Sequence, residues 1–291
     1  MKATKGEKTF YSINYIVLAL FGLSCLLPLL NIIAVSLSGS DAIMSGTVSI
    51  FPREFSLDSY KLLFEGTNVM GAFKNSIVIT VVGVILNMLF TILAAYPLSR
   101  KYFYGRKFFT MAMVFTMLFG AGMIPSYMLV KFLGLTNTYW AIWIPGLVST
   151  YNMLVMKSFF EGIPEELIEA ARIDGCSEVR LLVSIILPLS KAVLATLTLF
   201  YGVGNWNNFM GVLIYINETS KYNLSVFVQQ MIQSQSLLQQ VASENIEDIS
   251  QITPEGIKSA GIMVMVVPLM LVYPFLQKYF VKGVMLGSVK G

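Results

Sequence analysis

Apolar residues in this chain come in runs too long for ordinary core helices, and proline interrupts those runs without ending them. A bilayer core takes about 20 mostly apolar residues per helix. Six stretches reach that length: about Tyr11 to Leu37, Phe73 to Leu98, Phe108 to Phe132, Tyr139 to Phe160, Leu187 to Ile216, and Ala260 to Val281. Pro28, Pro97, Pro125, Pro145, Pro188, Pro268 and Pro274 lie within them. In a water-exposed helix interior each would cost about 3 kcal/mol. In membrane helices neighbouring groups take up the freed carbonyls. The prolines therefore predict kinks, with a gating hinge as the functional reading.

Between the stretches lie two long polar segments, over 38–72 and 217–259. The second is rich in glutamine, with Gln229, Gln230, Gln233 and Gln235, then Glu244, Glu247 and Asp248. Val226, Phe227, Met231 and Ile232 recur in it at helical spacing, which predicts a short amphipathic helix outside the membrane. Such a segment is either a solvated connector or a contact for an external partner.

Charge sets the orientation. An even number of spans puts both termini on one side, and fourteen of the twenty Lys and Arg residues then share that side. The sharpest signal is the short loop Arg100–Lys107, with four basic residues and no acid. Cytoplasmic loops carry this excess, so both termini are expected in the cytoplasm. The basic start followed by an apolar run resembles a signal peptide. Its run of about 26 residues exceeds the 7–15 of a signal, and no small-residue cleavage site follows. The first stretch is read as a retained helix.

Composition narrows the classes. The chain of 291 residues is 56% hydrophobic and only 12% charged, against about one quarter charged in soluble domains. Its mean hydropathy is +0.71. There is no histidine, which removes His-based acid–base catalysis, the usual serine triads and most transition-metal sites. Cys25 and Cys176 are too few for a disulfide framework or a metal quartet. The net charge of +4 is scattered beside apolar runs, without the aromatic-basic stripe of a nucleic-acid binder. No phosphate-binding G-x-x-x-x-G-K-[ST] loop occurs. The near absence of ionisable residues at membrane depth argues against a proton- or ion-coupled secondary transporter, and against an intramembrane enzyme.

The most acidic segment on the basic side runs from Phe160 to Pro188. Pro164 suits the first turn of a helix, and Glu165 and Glu166 follow where the helix dipole favours negative charge. Ile163, Leu167, Ala170, Ala171 and Asp174 recur at three- and four-residue steps and predict one small, apolar side. Gly175 suits a left-handed helix cap. Ser177 can cap the next helix, with Arg180 rather than Glu or Gln at its third position, so no capping box forms. The prediction is helix, turn, and a second helix entering the membrane.

The spacing Glu169-Ala170-Ala171, Gly175, Ile185, Leu187-Pro188 resembles the EAA loop of ABC importer permeases. Leu135 to Trp140, Ile144 to Gly146, Asn205 to Phe209, and the tail from Tyr273 to Gly291 resemble the carbohydrate branch of that family. Within it, permeases for polysaccharide and uronate-oligosaccharide import are the most similar. The resemblance implies an all-α membrane protein of the type I importer fold, with six transmembrane helices and a cytoplasmic coupling helix. It implies a cytoplasmic N-terminus over 1–10, one permease domain over 11–291, a coupling loop at 161–188, an external loop at 217–259 and a cytoplasmic tail at 282–291. Glu165, Glu166, Glu169, Ala170, Ala171, Asp174, Gly175, Leu187 and Pro188 would couple to the ATPase. The implied partners are a second, paralogous permease, two copies of a cytoplasmic ATPase that hold ATP and Mg, an extracellular binding protein and the bilayer. The chain itself would hold no cofactor and would not be an enzyme. Its place would be the bacterial inner membrane and its cargo a sugar, with a non-sugar solute as the alternative.

Polar groups inside spans remain. Asn152, Asn205, Trp206 and Asn208 combine planar amides with an aromatic face, the groups that suit sugar hydroxyls and C–H faces. Transporter sites lie near the midplane, so these residues are candidates for the substrate path. Interhelical hydrogen bonding is the competing reading, and it applies equally to Asn31, Asn87 and Asn207.

Overall fold

The computed structural model describes the backbone of residues 5–233 and 253–288, and the side chains of 6, 7, 9–233 and 253–274. Every described element is a helix, apart from an isolated antiparallel bridge between Ser38 and Phe55. The chain divides into two compact units, Met1–Met70 with Phe227–Pro268, and Gly71–Val226 with Leu269–Gly291.

In the first unit, α1 (Lys5–Ser36) is apolar on all faces and almost wholly exposed as far as Asn31. A helix hydrophobic all round is a membrane span rather than a surface helix. Beyond it the chain folds back. Arg53 donates its N–H to Ser38 Oγ at 3.0 Å, and Asn31 Nδ2 donates to the Ser49 carbonyl at 2.7 Å. Two short helices follow, α2 (Ser40–Met44) and α3 (Asp58–Gly66). Tyr60 on α3 donates to Ser36 Oγ at 3.0 Å.

The second unit is built around α4 (Val69–Ser99), which matches the second apolar stretch. The next three stretches are not single straight helices. The third is α5 (Arg106–Leu118) and α6 (Met123–Phe132), bent by 114°. Gly122 at the bend has φ +83°, which strains any L side chain. The fourth is α7 (Trp140–Trp143) and α8 (Thr150–Glu161), parted around Pro145 and Gly146. After α9 (Glu165–Ile173), the fifth is α10 (Glu178–Leu189) and α11 (Lys191–Trp206), bent by 84°, and then α12 (Phe209–Tyr215).

A break at membrane depth must have its backbone groups met by protein. Here α4 and α11 meet them. Asn87 Nδ2 donates to the carbonyls of Gly146 and Leu147 at 2.8 and 3.0 Å, and Ser149 N–H donates to Tyr201 Oη at 3.1 Å. Tyr201 pairs in turn with Thr91 at 2.6 Å, and Asn205 Nδ2 donates to Asn87 Oδ1 at 2.9 Å. Asn205 can approach because Gly83 faces it: a Cβ there would lie 2.8 Å from Asn205 Nδ2.

The amphipathic helix expected after the fifth stretch is α13 (Leu224–Gln233), with Val226, Val228 and Met231 buried and Ile232 exposed. The remainder of the glutamine-rich segment, 234–252, lies outside the described residues. The last helix is α14 (Pro254–Ser288). Among the described residues three helices are long and apolar enough to cross a membrane alone, and up to five spans result if each bent pair counts as one.

Candidate functional site

The acidic segment folds as predicted in outline. Pro164 sits at the N-cap of α9 with φ −51°, one step before the first turn, and Glu165 and Glu166 occupy that turn. Gly175 has φ +76°. Its N–H donates to the Arg172 carbonyl at 2.9 Å, and Cys176 N–H donates to the Ala171 carbonyl at 3.0 Å. These two bonds are the Schellman closure, which satisfies the last carbonyls of a helix. Ser177 Oγ then accepts from Arg180 N–H at 3.4 Å and caps α10.

The helix is clamped from beneath. Ile163, Ile168 and Ala171 are buried in a core that includes Leu98, Met156 and Phe160. The side read from the sequence is thereby divided. Leu167, Ala170 and Asp174 stay open, because Ile168 and Ala171 turn inward instead. Leu167 is 47% exposed and Ile173 86%, and Glu166, Glu169, Ala170 and Asp174 are exposed on the same outer side, so the outer side of α9 mixes apolar and acidic groups.

The basic loop after α4 holds the segment from the side. Lys101 Nζ lies 2.6 Å from Glu165 Oε2. That hydrogen bond, and then the charge behind it, hold the Glu165 carboxyl below the usual range and raise the Lys101 ammonium. Arg100 is buried, and its Nη2 donates to the Phe160 carbonyl at 2.6 Å, a cation at the C-terminus of α8 where the dipole favours it. Lys157 and Arg106 both reach Glu161, at 2.8 and 3.5 Å. Glu178 accepts from Tyr96, Tyr102 and Arg172.

Downstream, the helix winds wide over Leu182–Ile186, and Leu187 N–H reaches back five residues to the Leu182 carbonyl. Pro188 explains the local geometry, since it lacks an N–H and its ring crowds the carbonyl four residues before it. At the bend that follows, Ser190 Oγ donates to the Ile186 carbonyl at 2.7 Å.

A family model described as a binding-protein-dependent transport system inner membrane component matches residues 89–286, well over half of the chain, from α4 through the clamped turn to α14. The chain belongs to that family. The permease is 41% identical over 293 residues to Protein LplC of Bacillus subtilis, with 100% of this chain and 98% of that protein covered. It is 39% identical over 285 residues to the polygalacturonan/rhamnogalacturonan transport system permease protein YtcP of the same organism, with 98% and 99% covered. In a crystal structure of a bacterial ABC transporter involved in the import of the acidic polysaccharide alginate, one chain matches with a TM-score of 0.90 at 29% identity, covering 96% of this chain and 99% of that one.

Within the unit, the substrate-path candidates of the permease have the following partners. Asn205 bonds Asn87, and Trp206 is buried with its ring edge-on to Phe73, centroids 6.0 Å apart. Asn208 caps α12 by accepting from Gly211 N–H at 3.0 Å. Asn152 is buried in the first turn of α8, where its N–H donates to Ser149 Oγ. The first three are brought near one another at the end of α11, and Asn152 lies on a different helix. Sequence reading missed Tyr96, Arg100 and Tyr102 as partners of the acidic segment. The available signal was charge complementarity between a short basic loop and an acidic one on the same side of the membrane.

Proposed function

We propose that this permease imports an oligosaccharide through an ATP-driven complex, with six spans, both termini in the cytoplasm, and α9 as the helix that docks on the ATPase. The observation that carries this reading is the clamped turn. Its inner side is locked into the core, its end is closed by the Gly175 cap, and Ile173 is left almost wholly exposed with Leu167 about half exposed. A short, capped helix whose outer side carries Leu167 and Ile173 among carboxylates suits a groove on a partner. The three broken stretches are read as three spans, so that α1, α4, α5 with α6, α7 with α8, α10 to α12, and α14 make six. The names of the similar proteins, for polygalacturonan, rhamnogalacturonan and arabinooligosaccharides, support an oligosaccharide as cargo.

In this reading the permease performs no chemistry. ATP and Mg are held by two copies of a separate ATPase, and a second, paralogous permease completes the path. An external binding protein, which the family description names, delivers the sugar. Closure of the ATPase dimer moves α9, and the transport path opens to the other face of the membrane.

Gly175→Asp tests the dock. The side chain enters open space, and a left-handed non-glycine residue costs about 1–2 kcal/mol, so the protein folds and inserts. The substitution adds charge and bulk beside the docking face. The expected result is membrane insertion at the normal level with uptake lost. Normal uptake would remove the coupling role from α9.

A further inference from the structure

We propose that Glu178 is the positioning residue that carries movement of the α9 turn into α4, an inference that rests on the coupling role proposed for α9. Chain connectivity joins α9 to α8 and α10, but α4 is joined to that turn only through side chains. Beside the Leu98 contacts and the Lys101–Glu165 pair, Glu178, in the first turn of α10, gathers three of them at one carboxylate. Its Oε2 accepts from Tyr96 Oη in the last turns of α4 at 2.5 Å, and from Tyr102 Oη in the following loop at 2.9 Å. Its Oε1 accepts from Arg172 Nη2, at the end of α9, at 2.8 Å. The Arg172 guanidinium also lies over the Tyr102 ring, 4.3 Å from its centroid. Three side chains, from α4, its loop and α9, thus surround one anion on α10.

Such an arrangement does little for stability. The side chains of Glu178 and Arg172 are 50% and 36% exposed, and water replaces the partners of exposed ion pairs at small cost. What it fixes is relative position. Two phenols and a guanidinium with defined directions hold the carboxylate, so α9, α10 and the end of α4 move as one piece. The receiving helix is well placed. α4 carries Asn87 and Thr91, which bind the α7–α8 break and the side chains of Asn205 and Tyr201 on α11. A displacement delivered at Tyr96 therefore reaches the groups that hold the broken spans.

The test uses the assembled complex with its ATPase subunits in liposomes, and needs only Mg-ATP and vanadate as probes. Spin labels at positions 85 and 203, on exposed faces of α4 and α11, report the inner rearrangement. Labels at 104 and 179, on the loop and α10, report the brace. In the otherwise wild-type complex vanadate trapping is expected to change the first distance and leave the second fixed. Glu178→Ala should cut the first change by about threefold or more and let the second distance vary. Tyr96→Phe, which removes one hydroxyl and keeps the ring, should give a smaller effect in the same direction and stands in if the alanine variant does not assemble. Adding Tyr96→Phe to Glu178→Ala should do nothing further, since both cut one link. Unaltered distance changes in these variants would overturn the proposal and leave α9 as the coupling helix. No nucleotide-dependent change at either pair without the substitutions would instead overturn the coupling role itself.

Discussion

Single residues in this permease carry obligations that their neighbours create. Asn87 serves two carbonyls and one amide at a backbone break. Asn87→Leu leaves all three without that partner, for which buried groups cost about 1–3 kcal/mol, moderated in membranes where averages fall near 0.6. The expected outcome is a thermal midpoint lowered by several degrees in detergent, larger than for Asn31→Leu at the exposed surface of α1; equal shifts would contradict the structural role. Asn137 is a second hub. It holds φ +62°, and its Oδ1 accepts the N–H groups of Asn217 and Glu218. Lys221 Nζ lies 2.7 Å from Glu218 Oε2, and that bond, with Ser220 next, holds the Glu218 carboxyl down to about 2. A depressed carboxyl adds stability above its unfolded value near 4.3 and loses it as pH falls through the folded one. The turn at 217–221 should therefore stay protected from hydrogen exchange down to about pH 3. Lys221→Met should let it loosen between about pH 5 and 4. Identical pH profiles would refute the tether.

Elements show where sequence reading reached and where it stopped. α1, α4 and α14 were legible because an unbroken apolar run is nearly sufficient for a membrane helix. The turn from Pro164 to Ser177 was legible because caps are local chemistry: Gly175 closes and Ser177 opens a helix without help from distant residues. The fourth and fifth stretches break at Pro145 and just after Pro188, where the prolines predicted kinks, but the size of those breaks, and the break in the third stretch, were not legible. Hydropathy counts side chains, whereas a break is decided by whether freed carbonyls find partners, and Asn87 and Tyr201 lie 59 and 52 residues from the groups they serve. Gly120 and Gly122 were the missed local hint. The amide and aromatic cluster at 205–208 was open to two readings in sequence, and within its unit Asn205, Trp206 and Asn208 have packing and capping partners. The wide turn before Pro188 belongs to this scale. Pro188→Ala restores an N–H and removes the ring clash, so the segment should wind as ordinary α-helix. The expected result is slower transport with normal insertion, measured as uptake by the reconstituted complex. An unchanged rate would mean that the irregular turn serves packing alone.

At the scale of the whole molecule, the permease combines an exposed apolar first helix, a bundle of broken spans, and one clamped polar turn. The family match fixes its class as an inner-membrane transport component. In the proposed mechanism the clamped turn receives force, Glu178 and Arg100 tie it to its neighbours, and hydrogen-bonded breaks offer places where spans can rearrange without losing their partners to lipid. The most direct test is ATPase activity of the assembled complex in liposomes, with the cognate binding protein and a panel of pectin-, arabinan- and starch-derived oligosaccharides. The account predicts vanadate-sensitive activity that rises with at least one of these sugars and only when the binding protein is present. Basal activity that no oligosaccharide in the panel raises, with the complex intact, would contradict it.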